Sequence, residues 1–132
     1  MKSWRNGKVM RVLIVEDDEN FCRLLVEILE RQRAEVSWTT DSRKGYEMFS
    51  REPYDLFIFD VCMPLFLGTK LAEDLKQMRA GAKIILISAF ADDSLRKISQ
   101  KIGAPLLSKP FTPERLLETV ERTLSSSQER SN

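Results

Sequence analysis

From Arg11 to Leu124 the chain alternates short β-branched or aromatic runs with longer stretches in which apolar residues recur every three or four positions. The short runs predict strands and the longer stretches predict helices, and their alternation predicts βα units on a parallel sheet. The clearest helix carries Phe21, Leu24, Leu25, Ile28 and Leu29 at i, i+3, i+4, i+7 and i+8, an apolar stripe to lie on the sheet, with Asp18 or Asn20 as its cap. A short second strand, Val36 to Thr39, precedes a weaker helix from about Ser42 to Ser50 with Tyr46 and Phe49 on one side, and Pro53 ends that unit. Gly68 and Thr69 open a third helix bearing Leu71, Ala72, Leu75 and Met78, which Gly81 stops. Asp92 or Asp93 caps a fourth with Leu95, Ile98 and Ile102, closed by Gly103. A strand spans roughly Pro105 to Ser108, and Thr112, Pro113 and Glu114 begin the last helix, whose stripe is Leu116, Leu117, Val120 and Leu124. Phe111 is placed to staple against Leu116.

Four of the strand-like runs end in a reactive side chain. Val12 to Val15 runs into Glu16, Asp17 and Asp18; Leu56 to Phe59 into Asp60; Ile84 to Ile87 into Ser88; and Leu106 to Ser108 into Lys109 and Pro110. Ligands of α/β sheets bind beyond the carboxyl ends of the parallel strands, so these side chains are expected to form one site.

At 132 residues the chain is long enough for one core and too short for two. The expected division is a leader over 1–8, one domain over 9–124 and a flexible polar tail over 125–132. Lys and Arg total 21 against 20 Asp and Glu, so electrostatics names no nucleic acid or anionic membrane as partner. The chain has no histidine, which excludes Ser-His-Asp and Cys-His nucleophiles, histidine metal sites and a phosphohistidine carrier within it. Cys22 and Cys62 have neither metal-site nor disulfide spacing and are expected to be buried small apolar residues in a reducing compartment. No apolar segment is long enough for a signal peptide or membrane span, so a soluble cytoplasmic protein is expected.

Glu16 and Asp17 brought near Asp60 repel one another unless a carboxyl holds its proton or a cation intervenes. Oxygen ligands without His or Cys favour a hard ion such as Mg²⁺, which keeps several waters and also binds phosphate oxygen. Asp60 can attack phosphorus without a base to deprotonate it. Lys109 and the Ser88 hydroxyl can neutralise or hydrogen-bond the phosphoryl oxygens. Asp18 is left as a cap.

With these residues in this order, the chain resembles the receiver domains of two-component response regulators over about Val9 to Leu124. The resemblance implies a flavodoxin-like doubly wound (βα)5 sandwich with a five-stranded parallel sheet of order 2-1-3-4-5. It implies that Asp60 is the phosphoacceptor, Asp17 a direct Mg²⁺ ligand, Glu16 a ligand through water or hydrogen bonds, and Cys62 a ligand through its backbone carbonyl. Met63, Pro64 and Gly68 match the loop after the acceptor, Ser88-Ala89 the Ser/Thr-Ala motif, and Lys109-Pro110-Phe111 the Lys-Pro-Phe motif, whose Lys-Pro bond is typically cis. The implied partners are a histidine kinase or phosphotransfer protein and a downstream protein or effector domain. The latter would meet the face of the fourth helix, fifth strand and fifth helix, which carries Arg96, Lys97 and Lys101. No direct nucleic-acid or membrane contact is expected, and a second copy of the chain, in a homodimer, is a candidate partner.

The chain departs from the family pattern at three places. Leu106 stands where an aromatic usually turns inward when the hydroxyl residue moves. Leu65-Phe66-Leu67 is apolar where polar residues are common, which suggests a contact surface. Phe90 and Cys62 flank the expected position of the water that attacks the acyl phosphate, and neither side chain orients it well, so slow autodephosphorylation is expected. Catalysis beyond Mg²⁺-dependent self-phosphorylation and autodephosphorylation is not expected. The alternatives are a degenerate receiver that binds a partner without regard to phosphate, and a small phosphatase-like enzyme.

Overall fold

The structure, a computed structural model, describes residues 8–63 and 67–130, with 126–130 as helix backbone only. Its elements are β1 (Met10–Val15), α1 (Glu19–Glu30), β2 (Ala34–Thr39), α2 (Ser42–Arg51), β3 (Leu56–Asp60), α3 (Gly68–Met78), β4 (Ile84–Ser88), α4 (Asp93–Ile102), β5 (Leu106–Ser108) and α5 (Pro113–Arg130). The strands form one parallel sheet of order β2-β1-β3-β4-β5. Strand side chains alternate between faces, so each buried run feeds two cores. Val12, Ile14, Leu56, Ile58, Ile85 and Ile87 pack with Leu25, Leu29, Leu116 and Val120 of α1 and α5. Leu13, Val15, Phe57, Phe59, Ile84 and Leu86 pack with Phe49, Leu71, Leu75 and Leu95 of α2, α3 and α4.

Helix ends follow the local chemistry. The Asp18 side chain accepts the Phe21 amide at the start of α1, Asp41 caps α2 and Asp92 caps α4. Gly103 closes α4 at φ 82°, in the left-handed region that glycine enters without a Cβ penalty. Thr112 Oγ1 accepts the Arg115 amide at the start of α5. Phe111 packs on the core that contains Leu116, and its ring also meets Phe21 edge-on at 5.6 Å.

Several expectations need correction. Leu24, Met78 and Ile98 lie outside the buried stripes, with Leu24 48% exposed, while Cys22 and Ser99 are buried on α1 and α4. A helix lying on a sheet buries a narrow stripe, and a residue one position off it turns by about 100° toward water. Helix α3 ends at Met78, ahead of Gly81, and β2 starts at Ala34, where Met10 and Arg11 extend its ladder. Cys62 is exposed instead of buried. Helix α5 runs to Arg130, past the tail boundary expected after Leu124. No Gly or Pro interrupts it there, and the Ser125 hydroxyl donates to the Glu121 carbonyl at 2.9 Å. The leader apart from Lys8, the end of the tail, and Pro64, Leu65 and Phe66 lie outside the described residues.

Candidate functional site

Each reactive side chain sits where a strand runs out of apolar residues. Glu16 follows β1 and is fully buried; its amide still reaches the Thr39 carbonyl at 3.2 Å, which prolongs the β1 and β2 pairing by one step. Asp60 ends β3 and is buried, and Ser88 ends β4 and is buried. Asp17 is exposed. The parallel register aligns these ends, because Val15 pairs with Phe59 and Asp60 with Ile87.

The result is a cluster in which oxygens of Glu16, Asp17 and Asp60 lie within 4.8 Å of one another. Lys109 reaches in from β5, its Nζ 2.9 Å from Glu16 Oε1 and 3.7 Å from Asp60 Oδ2. Backbone amides hold the acids in place: Asp18 donates to Glu16 Oε2 at 3.0 Å and Cys62 donates to Asp60 Oδ1 at 3.2 Å. The Ser88 hydroxyl accepts the Phe90 amide at 2.9 Å and keeps its own proton to donate. The Lys109 amide donates to the Ser88 carbonyl at 2.8 Å, and the Lys109-Pro110 bond is cis, as the Lys-Pro-Phe resemblance implies. Gly68 packs on the backbone of the acceptor: a Cβ there would lie 2.1 Å from the Asp60 carbonyl oxygen.

Burial pushes the Glu16 carboxyl up to about 7; Lys109 and the Asp18 amide oppose this, and the nearby Asp60 charge adds to it. Asp60 is raised too, by burial, although Glu16 and Lys109 pull it down. Burial alone would lower Lys109, but Glu16, Asp60 and Asp17 outweigh it and hold the ammonium above its ordinary value. Three carboxylates thus share one ammonium, and two of them resist ionising. An all-oxygen donor set short of positive charge fits a hard divalent cation.

The structure therefore gathers Glu16, Asp17, Asp60 and Lys109, with Ser88 at the adjoining strand end. Cys62 meets this group through its amide and leaves its thiol exposed. Phe90 is 78% exposed beside it, and Leu67 is exposed on the side of α3. Sequence reasoning missed two neighbours. The Phe21 ring lies under Lys109 Nζ at 4.5 Å, and the Cys22 thiol donates to the Glu16 carbonyl at 3.2 Å, burial pushing it up to about 12. Both belong to the α1 stripe, where an apolar or small residue reads the same whether it faces core or site.

Comparison with known proteins gives concordant matches. A family model described as the response regulator receiver domain matches residues 12–121. Transcriptional regulatory protein RprY of Bacteroides fragilis is 36% identical over 118 residues, covering 87% of this chain and 49% of its own length. Response regulator receiver protein CpdR of Brucella abortus is 33% identical over 115 residues, covering 86% of this chain and 96% of its own length. The chain thus spans about half of the first relative and nearly all of the second. The solved response regulator receiver domain protein of Methanospirillum hungatei superposes with a TM-score of 0.86 at 30% identity, over 95% of this chain and 100% of that one.

Proposed function

The chain belongs to the response regulator receiver domain family, and from that premise we propose that Asp60 accepts a phosphoryl group from a phosphohistidine on a partner histidine kinase or phosphotransfer protein. One observation carries the reading: Lys109 Nζ stands between Glu16 and Asp60, 2.9 and 3.7 Å from their oxygens, in a pocket still short of positive charge. In the transfer, an Asp60 carboxylate oxygen forms a bond to phosphorus as the histidine nitrogen to phosphorus bond breaks, and the imidazole leaves. Lys109 follows the negative charge onto the phosphoryl oxygens, and the Ser88 proton hydrogen-bonds one of them. Asp17, Asp60 and the Cys62 backbone carbonyl would hold Mg²⁺, with Glu16 acting through water or hydrogen bonds, and the ion would supply positive charge to the same oxygens.

The output is conformational. The added charge of roughly −1.5 to −2 biases the surface of α4, β5 and α5, where an effector domain or downstream protein docks. The chain acts on no substrate besides its own acyl phosphate. Leu106, half-buried against the second core, favours a second reading, a receiver that binds its partner without regard to phosphate.

Acetyl phosphate separates the two. With Mg²⁺, intact mass should show one added phosphoryl group on the wild type and none on Asp60→Asn; without Mg²⁺, little on either. No Mg²⁺-dependent adduct in the wild type would leave the binding module as the reading. After donor removal the adduct should decay slowly, since neither exposed Phe90 nor the Cys62 thiol orients a water well, and Phe90→Glu should hasten the decay.

A further inference from the structure

Lys109 has three neighbours on two sides. Glu16 and Asp60 draw its ammonium toward the acids, while on another flank the ammonium rests over the Phe21 ring, 4.5 Å from the centroid. That distance is well inside the range in which an aromatic face attracts a cation, and Lys109 is only 20% exposed on its side chain, so water screens the attraction little. Phe21 is held at its backbone and at its ring. The Phe21 backbone amide donates to the capping Asp18 Oδ1 at 3.2 Å, and its ring packs edge-to-face with that of Phe111, centroids 5.6 Å and planes 82° apart. Phe111 follows Lys109 by two residues, so the segment that carries the lysine also carries the ring that steadies the lysine's aromatic seat.

We propose that Phe21 is a positioning residue for Lys109: its ring face, steadied by the Asp18 cap and by Phe111, keeps the ammonium at the acid cluster, where it can meet incoming phosphoryl oxygens. The proposal rests on the phosphoacceptor reading for its consequence, but the positioning exists before any phosphoryl group arrives. Any residue of similar bulk would fill the same space against the core. Only a ring supplies a negative face to the ammonium, and this separates positioning from packing.

Two substitutions divide those roles: Phe21→Leu keeps apolar bulk without a ring, and Phe21→Tyr keeps the ring. In the unphosphorylated full chain, NMR of lysine labelled at Cε should show Lys109 methylene protons shifted upfield by the ring current, with the peak assigned by its loss in Lys109→Arg. The shift should persist in Phe21→Tyr and vanish in Phe21→Leu while the amide spectrum of the rest of the fold is retained. With acetyl phosphate and Mg²⁺, Phe21→Leu should take up phosphoryl roughly three- to tenfold more slowly, and Phe21→Tyr within about twofold of wild type. An unshifted Lys109 in wild type, or equal rates for Phe21→Leu and Phe21→Tyr when the wild type does take up phosphoryl, overturns the proposal. A ring-shifted Lys109 in a wild-type chain that takes up no phosphoryl group supports the positioning and overturns the phosphoacceptor reading.

Discussion

Glu16 is the residue at which burial and charge are most opposed. Its carboxyl is fully buried and rises from 4.5 to about 7 even with the Lys109 ammonium 2.9 Å away. A carboxyl that binds its proton more tightly in the fold than in the unfolded chain adds stability below its unfolded value, and that stability is lost as pH rises through the folded one. Asp60, also raised by burial, acts in the same direction. Lys109, and Cys22 at about 12, titrate above this window and leave its slope alone. In buffer free of divalent cations, urea unfolding should therefore show stability falling by on the order of 2 kcal/mol between about pH 5 and pH 8. Glu16→Gln, which cannot ionise, should remove most of that slope; an unchanged slope in the variant would contradict the assignment. The acids, Ser88 and Lys109 were legible in the sequence because a short, strand-like apolar run ends abruptly before each. Phe21 and Cys22 were not, because the helical period only says that they are inside.

Among the elements, the end of β3 and the start of α3 approach each other closely at Gly68. The Gly68 amide donates to the Val61 carbonyl at 3.0 Å, and any Cβ at Gly68 would lie 2.1 Å from the Asp60 carbonyl oxygen. That obstacle is backbone, which a rotamer change cannot clear, so Gly68→Ala should cost about 1–3 kcal/mol in urea unfolding and slow phosphoryl uptake by Asp60. A variant of wild-type stability and rate would mean that this junction yields easily. The sequence marked Gly68 as a helix opening without revealing the close approach, since the latter depends on a residue eight positions back. Element types and order were legible throughout, from the change of period at each boundary. Helix faces were less so. Leu24, Met78 and Ile98 fit an apolar repeat yet face water, because the sequence period states a direction and the width of the sheet beneath decides how much of it is covered.

Across the whole molecule, one sheet divides two cores, and its reactive residues gather at the strand ends where both cores stop. Under the proposed function, a signal from Asp60 toward β5 has specific links to run through. Phe90 donates to Ser88 Oγ, Lys109 donates to the Ser88 carbonyl, and Leu106 pairs in register with Leu86. If a phosphoryl oxygen accepts the Ser88 proton and draws the hydroxyl toward it, the Phe90 amide that Ser88 Oγ accepts would be drawn with it, at the start of the segment leading into α4. Leu106 has no such polar link. Its side chain is hydrocarbon, half-buried on the second core, with no hydroxyl tip to be satisfied in one place rather than another. Such a side chain gains no polar partner in one state over another, so the change is expected to run through Ser88. With Mg²⁺ and beryllofluoride as a phosphoryl stand-in, the NMR signals of the Phe90 and Lys109 amides should therefore move strongly while the Leu106 methyls move little. Leu106→Tyr should add a ring whose signals differ between the two states. Leu106 methyls that shift as far as the Phe90 amide would place the switch in the aliphatic side chain after all.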